Sequence, residues 1–103
     1  MIYSVKAKFD ESKMPEFYQK LKDGTIENQK PDGKEIISSM KRAKILTDNE
    51  IVWSETCYCN PPLKHERETV YDKYLFDIQT TPIEGYKEFE GESFMKYLEK
   101  LSN

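Results

Sequence analysis

Residues 35–59, EIISSMKRAKILTDNEIVWSETCYC, decide the fold. Glu50 to Cys59 alternates as a strand, with Ile51, Trp53, Glu55, Cys57 and Cys59 on one side and Val52, Ser54, Thr56 and Tyr58 on the other. Asp48-Asn49 is a two-residue turn of the kind that joins hairpin arms. The preceding arm, Glu35 to Thr47, has two readings. Ile36, Ile37, Met40 and Ala43 suit a helix, whereas Ile37, Ala43 and Ile45, with Ser39 and Lys41 between them, suit one strand face. A hairpin needs a strand before its turn, so the strand reading is preferred.

Upstream, Tyr3, Val5, Ala7 and Phe9 alternate with Ser4, Lys6 and Lys8, which predicts a half-buried strand over Met1 to Phe9. A helix follows. Ser12 is placed to cap it, Pro15 is tolerated in its first turn, Met14, Phe17, Tyr18 and Leu21 share one face, and Asp23-Gly24 stops it. Gly24 to Lys34, GTIENQKPDGK, is polar and rich in turn formers and reads as a solvated connector.

Downstream, Asn60-Pro61-Pro62 reads as a helix start, with Asn60 as cap and Pro61 in the first helical position. Leu63, Val70, Tyr71 and Tyr74 form its buried stripe. Thr69-Val70-Tyr71 lowers helix propensity, so an irregular loop is the other reading. Tyr74 to Thr80 alternates as a strand ended by Thr81-Pro82, and Glu92 to Leu101 is a short amphipathic helix with Phe94, Leu98 and Leu101 inward.

The resulting order is βαββαβ with an extra C-terminal helix. This is an α+β, ferredoxin-like antiparallel sheet with helices on one face, in a single domain over residues 1–103. Without a helix after Asn60 the order becomes βαβββα, a two-layer sandwich.

Composition limits the functions. The chain has 16 Lys and Arg against 19 Asp and Glu, a net charge of −3, and only Arg42 and Arg67 among its cations carry a guanidinium. The open sheet face offers Ser4, Lys6, Lys8, Val52, Ser54, Thr56 and Tyr58, and one Tyr is no base-stacking platform, so nucleic acid is an unsuitable partner. No apolar run reaches membrane-spanning length, and the first residues lack a secretory leader pattern, so a soluble, cytoplasmic protein is expected. A dimer closing two sheets around an apolar pocket would place Lys6, Lys8, Asp77 and Gln79 inside it.

Trp53 to Asp72, WSETCYCNPPLKHERETVYD, holds the only Trp, the only His, both Cys and one of the two Arg. Cys57, Cys59 and His65, with Glu66 or Glu68 as a fourth group, form a weak metal-ligand pattern suited to zinc or copper, because the paired spacing of zinc modules is missing. Buried core thiols explain the same two cysteines with fewer assumptions. Glu55 falls between Trp53 and Cys57 on the core face and must be paired, protonated or open to a cavity, with Arg67 as its natural partner.

If the protein is an enzyme, Glu55, His65 and Arg67 are its catalytic candidates. As a binding protein, its candidate contacts are Trp53, Glu55, Tyr58, His65, Arg67 and Tyr71, with Arg42 as a second anchor for an anion. Tyr58, Tyr71, Tyr74 and Tyr86 add interface-forming area. The reading adopted is a monomeric or homodimeric domain with no obligatory cofactor, binding a protein partner or a small molecule. A small enzyme of dimeric α+β barrel type and a Cys/His metal-binding protein are the alternatives.

Overall fold

The computed structural model describes residues 1–102. The alternation at the N-terminus produces β1, Ile2–Phe9, which buries Tyr3, Val5, Ala7 and Phe9. With β2 (Lys44–Thr47), β3 (Glu50–Thr56) and β4 (Leu75–Ile83) it forms one open antiparallel sheet of four strands in the order β2-β3-β1-β4. Val5 lies opposite Trp53 on one side and Thr80 on the other, which fixes the registers around the centre of the sheet. The fold is α+β, and among the described residues no helix is long and apolar enough to cross a membrane.

The arm before the hairpin turn differs from the preferred reading. Residues Gly33–Arg42 form a helix, α2, and β2 is only four residues long. Ile36, Met40 and Ala43 are fully buried, so the apolar period stays helical until the chain extends at Ala43. The hairpin requirement was sound, but four residues satisfy it. Asp32-Gly33-Lys34-Glu35, an acid followed three residues later by Glu just before an apolar pair, is a helix-start pattern that the strand reading passed over.

The first helix, α1 (Met14–Lys22), is entered through a 3-10 turn at Glu11–Lys13. Asp10, rather than Ser12, caps that turn: its Oδ1 accepts from the Ser12 amide at 3.0 Å and hydroxyl at 2.8 Å, and these bonds lower the Asp10 pKa. After β3 the helix begins at Lys64 and not at Pro61, because Leu63 takes a left-handed conformation (φ 62°) that breaks continuity with the prolines. Helical stretch 64–74 consists of α3 (Lys64–Glu66), a π-helical turn (Arg67–Tyr71) and α4 (Asp72–Tyr74). The wider π turn lets both Val70 and Tyr71 point into the core.

Helix α5, Phe94–Ser102, packs on α1 and α2, and Phe94 and Leu98 are fully buried. Phe9, Phe17, Tyr74, Phe94 and Tyr97 make a run of ring contacts, from the Phe17 and Tyr74 rings stacked at 4.7 Å to the Phe94 and Tyr97 rings at 6.4 Å.

The other face of the sheet, expected to be open and polar, is partly covered. Ser54 belongs to that face and has no exposed surface: its hydroxyl donates to the Lys87 carbonyl at 3.2 Å and accepts from the Lys87 amide at 3.3 Å. The chain leaves β4 at one edge and rejoins β2 at the other, where Ile45 donates to the Glu92 carbonyl at 2.8 Å. Residues 84–93 therefore lie across the outer face. Further out, Lys8 pairs with Asp77 at 3.4 Å and Lys6 is exposed.

Gly33 begins α2 where the preceding loop closes against it. A Cβ there would sit 2.3 Å from the Ile26 carbonyl oxygen and 2.5 Å from that of Glu27, both backbone atoms with little freedom to move. Replacing Gly33 with Ala is therefore expected to destabilise the fold by about 1–3 kcal/mol, as overpacking does. Urea unfolding of the G33A variant checks this; an unchanged midpoint contradicts the close approach.

Candidate functional site

Alternation along β3 turns Trp53, Glu55 and Cys57 toward the helices, and Glu55 has no exposed surface. Arg67 is not its partner. The carboxyl oxygen Oε1 accepts from Trp53 Nε1 at 2.8 Å and from the Tyr71 hydroxyl at 2.7 Å, while Oε2 is buried without a hydrogen-bond partner. Burial pushes the Glu55 pKa up to about 8 against the opposing pull of these two donors, and the charges of Glu66 and Glu35 raise it further. At neutral pH the group is a neutral acid. The Tyr71 hydroxyl is likewise held well above its ordinary pKa, first by burial and then by Glu55.

Two residues along, the chain brings three soft or anionic atoms together. Cys57 Sγ and Cys59 Sγ each lie 3.6 Å from Glu66 Oε1, and the three ligand atoms are within 4.8 Å of one another. Cys59 also donates its amide to Cys57 Sγ at 3.1 Å. Both cysteines are free thiols; Cys57 is buried and Cys59 half-buried. Burial pushes the Cys57 thiol up to about 12. Glu66 is only 1% exposed, and among the described residues no cationic side chain pairs with it. The left-handed Leu63, itself fully buried, turns the chain so that Glu66 comes under the two thiols.

Above them is a depression of about 470 Å³ lined by Pro31, Asp32, Glu35, Thr56, Cys57, Tyr58 and Cys59. Its position follows from the shortness of β2. Beyond Ile51 and Val52, the outer edge of β3 has no neighbouring strand, and α2 side chains complete it. Arg42 donates to the Ser54 carbonyl through Nε at 3.2 Å and a terminal nitrogen at 2.8 Å, and Glu35 Oε2 accepts from the Thr56 amide at 3.2 Å. An Arg42–Glu35 ion pair of 3.2 Å closes this edge against further pairing. Tyr86 stacks its ring 4.5 Å from the Arg42 guanidinium carbon and bonds to Thr56 through its hydroxyl.

His65 faces the same depression's wall through its Nδ1 contact with Asp32, an arrangement that fixes the ring and leaves Nε2 outside the pair. Arg67 instead pairs with Asp72 at 3.2 Å, at a separate surface depression lined by Pro61, Pro62, Lys64, Arg67, Glu68 and Asp72. Glu55, His65 and Arg67 thus have three different sets of partners and are not gathered around one cavity. Trp53 and Tyr71 are interior, with rings 5.4 Å apart, and Tyr58 is 88% exposed beside the thiols.

Asp32 and Glu35 fall within the expected connector and strand, so sequence pattern alone does not place them at the site. Their signal was the same helix-start pattern, although neither side chain caps α2; both reach across to the site. Comparison with protein-family models, with curated proteins and with solved structures finds no match.

The environment of Glu55 sets a pH dependence. The folded state keeps its proton where the unfolded chain has lost it, so this group lowers stability as pH rises from about 5 to about 8. Glu55→Gln retains an acceptor for Trp53 and Tyr71 without titrating. Thermal melts of the wild type are expected to decline over that interval relative to E55Q, whereas parallel profiles contradict a neutral Glu55. Glu55→Ala strands two buried donors and should cost about 3 kcal/mol or more.

Proposed function

We propose that this protein is a non-catalytic binding domain of ferredoxin-like arrangement whose ligand is a small molecule seated over Cys57 and Cys59. The arrangement is supported by the all-antiparallel neighbours β2-β3-β1-β4, the order in which a split βαβ unit places its strands. The observation that carries the binding reading is the depression itself: apolar walls from Pro31 and Tyr58, a thiol floor, and hydrogen-bonding groups from Asp32, Glu35 and Thr56 converge on about 470 Å³.

Binding is favoured over catalysis because the acid, imidazole and guanidinium available for chemistry are engaged separately. Glu55 is enclosed by Trp53 and Tyr71, His65 meets Asp32, and Arg67 meets Asp72. The barrel-type dimer is disfavoured by residues 84–93, which occupy part of the face such a dimer would use. A reducing, cytoplasmic setting suits two free thiols this close together.

The test is a set of small aromatic fragments, each bearing one hydrogen-bonding group such as a phenol, aniline or benzamide, followed by amide shifts in NMR. Binders are expected to move the amides of 32–35 and 56–59 and to weaken severalfold in Tyr58→Ala, a substitution at an exposed side chain. Fragments that instead collect at the separate depression lined by Leu21, Lys22, Ile37 and Met95, or none that moves 56–59, contradict this assignment.

A further inference from the structure

We propose that Cys57, Cys59 and Glu66 form a binding site for a thiophilic divalent cation of the zinc type, with its remaining coordination position open to the depression above. The inference rests on the reading of that depression as a ligand site and names the chemistry at its floor.

Three observations carry it. The first is distance. In a tetrahedral zinc site with Zn–S near 2.3 Å and Zn–O near 2.0 Å, neighbouring sulfur and oxygen ligands stand about 3.5 Å apart. Both thiol sulfurs are 3.6 Å from Glu66 Oε1, so two of the three ligand-to-ligand edges already have the required length. The third edge, between the sulfurs, is under 4.8 Å and closes to its tetrahedral length of about 3.8 Å with a small side-chain rotation.

The second is the state of Glu66. A carboxyl group removed from water keeps its proton, as Glu55 does, or is paired with a cation or bound to a metal, and Glu66 differs from Glu55 in having two thiols on one oxygen. Glu66 is 1% exposed, its Oε1 has only the two thiols, and no described Lys, Arg or His forms an ion pair with it. A divalent ion between the sulfurs and this oxygen supplies the absent positive charge.

The third is the asymmetry of access. Cys57 and Cys59 line the depression and Glu66 does not, so an ion held by all three has protein below it and the depression above. Three protein ligands with one vacant position is the form of a zinc site that receives an exogenous ligand, in contrast to the closed four-ligand form of structural sites. The Cys59 amide bonded to Cys57 Sγ at 3.1 Å is the outer-shell contact that steadies a thiolate. The carboxylate favours zinc over copper(I), which prefers sulfur alone. His65 belongs to Asp32 and is not a ligand.

Cobalt(II) is the probe, titrated into the full-length reduced protein without oxygen. One ion per chain is expected, with thiolate-to-cobalt charge-transfer absorption and the strong visible bands of four-coordination, all abolished by added zinc. Cys59→Ser, at a half-buried position, and Glu66→Gln each remove a ligand and are expected to weaken binding at least as much as the roughly 10–100-fold that loss of an outer-shell contact costs, while His65→Ala leaves it unchanged. In the unmutated protein, zinc should also slow alkylation of both cysteines, a readout independent of whether a variant folds. Absence of the charge-transfer band overturns the proposal, as does binding indifferent to C59S and E66Q or abolished by H65A. Fragment binding is read by amide shifts in metal-free protein, so either result can fail while the other stands.

Discussion

The buried Glu55 carboxyl is the constraint around which this protein is arranged. It sits on the core face of β3, where alternation would otherwise place an apolar residue, and it receives one hydrogen bond from its own strand and one from helical stretch 64–74. A group of this kind is costly unless its partners are fixed. Trp53 and Tyr71 are therefore held in place, their rings in contact and both without exposed surface. Anchoring Tyr71 to β3 sets where the π turn and α3 lie, and that brings Glu66 beneath Cys57 and Cys59. The thiol and carboxylate cluster depends on this anchor together with the left-handed turn at Leu63.

A second arrangement follows from the length of β2. Four residues are enough to close the hairpin but leave half of the outer edge of β3 without a neighbouring strand. Exposed strand edges invite pairing with other chains, and proteins cover them. Here the Arg42 and Glu35 side chains take the place of the absent strand, bonding to the Ser54 carbonyl and the Thr56 amide. That use of α2 brings Asp32 and Glu35 to the wall of the depression. The segment after β4 covers the outer face at Ser54 and places Tyr86 on Arg42, so edge, face and depression are joined through the same few side chains.

Much of this was legible in local pattern. Period-two alternation located β1, β3 and β4, the apolar spacing located α1 and α5, and the same alternation marked Glu55 as a polar residue on the core face and put both cysteines on its side. But β3 ends at Thr56, short of Cys59, and β4 does not stop at Thr81-Pro82, running through both to Ile83 with its register shifted near the left-handed Asp77. What local pattern does not carry is the identity of partners distant in sequence. Arg67 is the electrostatic choice for Glu55, yet a carboxyl group that keeps its proton in a dry site needs no cation, and Trp53 and Tyr71 supply neutral donors to one of its oxygens. His65 was grouped with the cysteines by proximity in sequence, but the left-handed Leu63 and the helix after it turn Glu66 toward the thiols and His65 toward Asp32. A hairpin arm of four residues suffices for the Asp48-Asn49 turn, which leaves the residues before it free to form α2 with the two acids at its start.

The claim that everything else depends on is that Glu55 is a neutral, hydrogen-bonded acid in the folded protein. Its carboxyl carbon can be followed directly by NMR in protein labelled at glutamate, with Glu55→Gln assigning the signal. This resonance is expected to keep the position of a protonated acid through neutral pH and to titrate near its raised value of about 8. A midpoint in the ordinary carboxylate range, near 4, would contradict it.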